Sequence, residues 1–277
     1  MSVIFDQMMS RYEIRTTEDN RNATHEVMQQ ITLAALYRSG FFDKAAFYGG
    51  TCLRIFYNLH RFSEDMDFSL LKKDKNFTLE EYFDAISSEF SAHGKDVIIT
   101  RKTKIIDTNI ESAFLKGNSD IYNIEFQTQR SIKIKIEVDL DPPLYFNTEY
   151  KLLLLPFSFM TRCFTLPGLF AGKMHAFLFR NWKNRVKGRD WYDLEWYIRN
   201  NFKLDFIQLK ERCIQSGHVL PEEFTKEEFI RLLKKRIQDT NIERVEADII
   251  PFIKDNKDLN IWSTEYFLKL IELIKFE

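Results

Sequence analysis

The sequence lacks what would place it in a membrane or outside a cell. No run approaches the ~20 apolar residues that a membrane span needs, and the N-terminus has no basic, then apolar, then small-residue signal pattern. A soluble, cytoplasmic protein without a membrane role is therefore expected. Cysteine is scarce: Cys52, Cys163 and Cys213 are odd in number, scattered and never spaced as CxxC. Neither a disulfide framework nor a zinc site is indicated, and the three are expected to be buried thiols in a reducing compartment. An excess of charge of one sign is lacking as well. The formal net charge of the 277 residues is −1, so any contact with nucleic acid must come from a local basic patch. There is no internal repeat, low-complexity segment or flexible linker. His25, His60, His93, His175 and His218 are dispersed, and even His175 reads as a packed or surface residue rather than a catalytic one.

What is present is concentrated between Phe47 and Leu70. A short apolar run ends at Gly49-Gly50, which permits a tight turn, and Thr51 onward opens a helix carrying Leu53, Phe56 and Tyr57 on one face. A strand, a glycine turn and a helix N-terminus form a phosphate cradle, because several backbone N–H groups converge and the helix dipole adds positive potential. The chain then returns through Glu64 to Leu70, where Asp65 and Asp67 alternate with Met66 and Phe68. A strand there puts both carboxylates on one face. Two such carboxylates repel unless a cation lies between them, and Mg²⁺ is commonly held by one or two carboxylates plus substrate phosphates.

The rest of the first half is read from its periodicity. A helix is expected from Thr17 to Arg38, stopped at Ser39-Gly40, and a second opens on a Thr78/Glu81 capping box and ends at His93-Gly94. Val97 to Arg101, Ser112 to Lys116, Ile121 to Gln127 and Ser131 to Leu140 read as strands. The last is the clearest, with Ile132, Ile134, Ile136, Val138 and Leu140 on one face and Lys133, Lys135, Glu137 and Asp139 on the other. A third metal ligand would come from this polar face, with Glu137 preferred and Asp139 the alternative two residues on. Leu152 to Phe159 is an apolar connection with no assigned element. Beyond Leu166-Pro167-Gly168 the pattern is helical to the end: Leu169–Lys187, Trp191–Asn200, Asp205–Gln215, Thr225–Gln238, Ile242–Ile253 and Thr264–Lys275. The aromatic group Trp191, Tyr192, Trp196 and Tyr197 reads as a packed helix face. Arg180 to Arg189 is the most basic stretch and is expected to bind a polyanionic acceptor, with Trp182 available to stack on a base.

Gly49-Gly-Thr51-x-Leu-Arg54 with Arg61-Phe-Ser-Glu-Asp65-x-Asp67-Phe resembles the AbiEii/AbiGii toxin family of the polymerase-β-type nucleotidyltransferase superfamily, as does Lys173-x-x-Ala followed by Arg189-Asp190-x-x-Asp193-Leu. That resemblance implies an α+β protein. A catalytic domain with a mixed sheet and flanking helices would occupy residues 1–150, and an all-helical half, residues 151–277, would contribute Lys173 and Asp190 or Asp193. Gly49, Gly50, Thr51, Arg54 and Lys173 would bind the NTP, and Asp65, Asp67 and Glu137 would hold Mg²⁺ or Mn²⁺. Asp65, Asp67, Glu137, Lys173, Asp190 and Asp193 would form the catalytic set. The implied reaction moves an NMP from an NTP to an acceptor, with the 3′ end of tRNA as the RNA expected. The implied partner is a cognate antitoxin in an abortive-infection setting. The competing reading is an inactive nucleotide-binding or inhibitory module, against which the intact Asp-x-Asp pair argues.

Overall fold

Helix α1 (Val3–Met9) leads to α2 (Thr17–Arg38), whose start is fixed by a capping box between Thr16 and Asp19 and whose end passes through Ser39 to Gly40 at φ +74°. Residues 3–101, 119–126, 132–180 and 186–277 are described by the structure, a computed structural model. The chain divides into two compact units. The first is formed by residues 1–57, 63–144 and 148–163, and the second by residues 58–62, 145–147 and 164–277.

In the first unit, β1 (Ala45–Tyr48) runs into α3 (Gly49–Tyr57), and β2 (Met66–Leu70) returns antiparallel to β1 with Tyr48 opposite Asp67. The helix begins at Gly49, two residues earlier than expected. A 3-10 turn over Leu79–Tyr82 precedes α4 (Phe83–Ala92), and the Thr78 side chain accepts from the Glu80 N–H instead of closing a box on Glu81. Strands β3 (Val97–Arg101), β4 (Ser119–Phe126) and β5 (Ile132–Asp139) follow. The strand expected at Ser112 to Lys116 lies outside the described residues. Two more strands, β6 (Thr148–Leu153) and β7 (Phe159–Phe164), flank the apolar connection and take in its two ends. The sheet has the order β3-β4-β5-β2-β1-β7-β6. It is mixed, with β2 parallel to β5, β1 parallel to β7, and β4 antiparallel to β3 and β5.

The β5 alternation is borne out: Ile132, Ile134, Ile136 and Val138 are buried while Lys133 is exposed and Lys135, Glu137 and Asp139 lie between. Phe68 of β2 packs on Phe41 and Phe47, each with ring centroids 5.0 Å away, and α2 lies against α4 and β5. Burial of several aromatic and branched side chains at ~1.5–3 kcal/mol each makes this apolar layer the main support of the strand that carries Asp67.

The second unit contains α5 (Leu166–Phe179), α6 (Gly188–Arg199), α7 (Phe206–Gln215), α8 (Lys226–Gln238), α9 (Ile242–Ile249) and α10 (Thr264–Leu270). Pro167 sits in the first turn of α5, where a missing N–H costs nothing. That helix ends at Phe179 rather than Lys187, and Val186 and Lys187 are not helical. The half is not wholly helical: β8 (Lys203–Leu204) and β9 (Lys275–Phe276) form a short parallel ladder. Trp191 and Tyr197 are buried, as expected for a packed face. Gly188 is required by close approach, since a Cβ there would meet the Val245 carbonyl oxygen at 2.2 Å. Among the described residues no helix is long and apolar enough to cross a membrane.

Candidate active site

The first centre lies at the β1–α3 turn. Gly49 has φ +83°, a conformation that side chains disfavour, and a Cβ on it would stand 2.3 Å from Asp67 Oδ2. The glycine therefore lets the Asp67 carboxylate lie against the backbone where a nine-residue helix begins. The first-turn N–H groups of that helix have no intrahelical acceptor and carry the positive end of its dipole. Thr51 is fully buried, and its hydroxyl donates to the backbone carbonyl of Asp65. What Thr51 can offer a phosphate is its N–H, while its side chain ties α3 to the carboxylate segment.

Asp65 is not in the strand, because β2 begins at Met66. The carbonyls ahead of the strand are taken by side chains instead of a ladder: Gln29 Nε2 of α2 donates to Ser63 O at 3.0 Å and to Glu64 O at 3.1 Å. Two helices thus pin the segment from Ser63 to Asp65. Gln29 carries no sequence signal, being one polar residue in a helix. Both Asp65 and Asp67 stay partly exposed while Met66 and Phe68 are buried.

Along β5, Glu137 lies opposite Asp67 and Asp139 lies opposite Ser69. The Glu137 carboxylate is engaged by Lys135, with Nζ 2.7 Å from Oε2. Burial works against the Lys135 charge, but Glu137, Asp65 and Asp67 outweigh it and hold the ammonium's pKa above its usual value. A cation is thus already drawn to this face. Asp139 accepts from the Asp141 N–H at 3.2 Å. Arg54 is turned to α2, donating to Glu26 at 2.8 Å, and the Tyr12 hydroxyl donates to the same carboxylate.

The donor set suits Mg²⁺ in type, being hard carboxylate oxygen. Among the described residues, however, no three His, Cys, Asp or Glu side chains already converge as a metal cage. An ion held by one or two carboxylates and substrate phosphates does not need one, so the residues fit a metal that arrives with its nucleotide.

The second centre is within the helical unit. Lys173 of α5 is held by Asp190 at 2.9 Å and Asp193 at 2.8 Å, successive acids on one face of α6. Arg61 closes the cluster with a two-pronged grip on Asp193, Nε to Oδ1 at 2.5 Å and one terminal nitrogen to Oδ2 at 2.6 Å, at 2% and 0% side-chain exposure. Arg180 reaches Asp190 at 3.2 Å. Burial raises the pKa of both acids, but Lys173, Arg180 and Lys187 about Asp190, and Arg61 and Lys173 about Asp193, overcome it and hold both ionised. Three cations in contact with two carboxylates leave the cluster with positive charge in excess. Sequence reading missed Arg61 and Arg180 as members. Arg61 stands inside the Arg-Phe-Ser-Glu-Asp motif, which was the available signal.

The expected basic patch is described only in part. Residues 181–185 lie outside the described residues, Trp182 included. Of the remainder, Arg180 is paired with Asp190, and the Arg189 guanidinium lies 4.0 Å from the centre of the Phe252 ring. Lys187 is half-buried, its pKa pushed down to about 8 by burial. Arg180 and Arg189 thus make contacts within the unit, and all three remain partly exposed. His175 is likewise packed: it meets Ser216 at 2.9 Å, and burial pushes its pKa down to about 3. The three cysteines are buried and unbridged.

A glycine turn that seats a strand carboxylate at a helix N-terminus, on a mixed sheet followed by helices, defines a nucleotidyltransferase-type fold. Residues 31–269 match the family described as nucleotidyl transferase AbiEii toxin, type IV toxin–antitoxin system, and the chain belongs to that family. Among solved structures it is similar in fold to MenT4, a nucleotidyltransferase toxin from Mycobacterium tuberculosis. That pair has 15% identity, 97% of this chain and 99% of that one covered, and a TM-score of 0.51. It is also similar to JHP933 from Helicobacter pylori, with 19% identity, 91% and 88% covered, and a TM-score of 0.50. No curated protein is significantly similar in sequence. Membership of a toxin–antitoxin family implies an antitoxin partner.

Proposed function

We propose that this toxin is a metal-dependent nucleotidyltransferase that moves an NMP from an NTP to the 3′ end of an RNA, with tRNA as the acceptor class. The observation that carries the reading is the seat of Asp67: its carboxylate packs on Gly49, at a helix N-terminus whose first-turn N–H groups would receive a phosphate. Asp65 and Asp67, with Glu137 as the third acid, would hold the metal. A divalent ion there would stabilise charge on the attacking and leaving oxygens and on the phosphates.

The chain's own groups account for the other demands. The backbone N–H groups of Gly49, Gly50 and Thr51 would orient the triphosphate. Glu137, opposite Asp67 in the ladder, is preferred to Asp139 and would take the proton of the acceptor hydroxyl as its oxygen bonds to the α-phosphorus and pyrophosphate leaves. In the helical unit, Asp190 and Asp193 fix Lys173, and the excess positive charge of that cluster suits a phosphate group. Arg54, engaged by Glu26, would act on the nucleotide only through its remaining donors.

Incubation with α-labelled NTPs, Mg²⁺ and total RNA tests the reading. Label in RNA with release of pyrophosphate is expected, lost on chelation and in Asp67→Asn. No transfer to any RNA fraction, or transfer indifferent to chelation, would overturn it.

A further inference from the structure

Lys135 is a polar residue on the carboxylate face that the proposed reaction leaves without a duty. It stands two positions before Glu137 on β5, so both side chains leave the same face of the sheet. The Lys135 Nζ to Glu137 Oε2 distance is 2.7 Å, with 31% and 24% of the side chains exposed. Neighbouring β2 presents Asp67 directly opposite Glu137. Glu137 thus shares this face with Asp65 and Asp67, whose charge also favours the Lys135 ammonium. Yet Glu137 is engaged elsewhere, and among the described residues no ready-made metal cage exists.

We propose that Lys135 is a resident counter-cation of this face, latching Glu137 while no metal is bound and releasing it when a divalent ion arrives. The inference rests on the metal-dependent reading above. In the empty protein the ammonium relieves repulsion among the acids. A doubly charged ion outcompetes it for carboxylate oxygen, and Glu137 is then free to turn from Lys135 toward Asp67. Metal binding and the Lys135–Glu137 pair are thus mutually exclusive, and Lys135 sets the affinity for the ion without being a ligand.

The test uses the full chain with Mn²⁺ as probe, counting bound ion by electron spin resonance and melting with and without Mn²⁺. Lys135→Met should bind Mn²⁺ roughly three- to tenfold more tightly than wild type, the range a partly buried ion pair can carry. It should melt lower than wild type only when Mn²⁺ is absent. Lys135→Arg should resemble wild type, and Lys135→Gln should follow Lys135→Met, providing a second neutral variant if the first does not fold. Unchanged or weaker Mn²⁺ binding in the neutral variants, or an equal melting deficit with and without the ion, overturns the proposal while leaving the metal reading intact. A wild-type chain that binds no Mn²⁺, alone or with a non-hydrolysable NTP, overturns both.

Discussion

Two pairs of aspartates sit in opposite circumstances. Asp65, just ahead of β2, and Asp67, within it, are half-exposed beside a glycine turn, and their charge favours the ammonium of Lys135 on the neighbouring strand. Asp190 and Asp193 on α6 are buried and gripped by Arg61, Lys173 and Arg180. Each pair comes from a short spacing in sequence, two residues in one case and three in the other, so the spacing does not separate them. Their surroundings do. The first pair stays partly exposed to solvent, and the second spends its charge on cations buried with it. Carboxylates of the first kind suit chemistry, and those of the second suit the holding of other groups.

Breaking the buried pair should have the largest effect on stability. Asp193→Asn leaves Arg61 buried without its partner and is expected to destabilise the protein by about 3–5 kcal/mol. Combining Asp193→Leu with Arg61→Met should recover much of that loss, because two charges no longer need burial. Urea unfolding measures both, and a single variant within 1 kcal/mol of wild type, on the order of an exposed pair, would show the cluster to be no structural element.

The mirror experiment is Asp67→Asn, expected to cut transfer by ~10²-fold or more, the scale of one preorganised electrostatic contact. Its melting temperature should hold or rise, since like-charge repulsion is relieved. A variant as active as wild type would remove the metal role. The same contrast sharpens within β5: Glu137→Gln should lose far more activity than Asp139→Asn, because the former lies opposite Asp67 and the latter opposite Ser69. The reverse order would move the assignment two residues along.

Gly49→Ala joins the two kinds of loss. The φ of +83° and the 2.3 Å contact with Asp67 predict about 1–3 kcal/mol of strain together with displaced chemistry. Normal stability and normal transfer would contradict the seat described for Asp67.

The smallest effect concerns pH in the helical unit. His175 has its pKa lowered from 6.5 to about 3, first by burial and then by Arg212, His218 and Arg180. The unfolded chain binds this proton near pH 6.5 and the folded chain only near pH 3. Its contribution to stability is therefore complete above pH 6.5 and is lost progressively as pH falls toward 3. His175→Gln should flatten the change in urea midpoint between pH 7 and pH 4.5, and an unchanged pH slope would assign the loss to other groups.

The sequence by itself determined the elements whose signals are local. Alternation wrote β5 from Ile132 to Asp139, Ser39-Gly40 stopped α2, and Gly49-Gly50 before Asp65-x-Asp67 marked the turn and the acids. Strands β6 and β7 lie mostly on either side of the apolar Leu152 to Phe159, and Asp65 stays outside β2 because side chains of Gln29 and Thr51 take the carbonyls of Ser63 to Asp65. Only tertiary structure decided which charges are spent. Arg61 and Asp193 are 132 positions apart, and Asp67 and Glu137 meet through a ladder between non-consecutive strands. A charge in sequence has a type and a spacing. Whether it is open to a metal or bound to an arginine depends on groups that arrive from distant parts of the chain, and on the burial that strengthens their attraction.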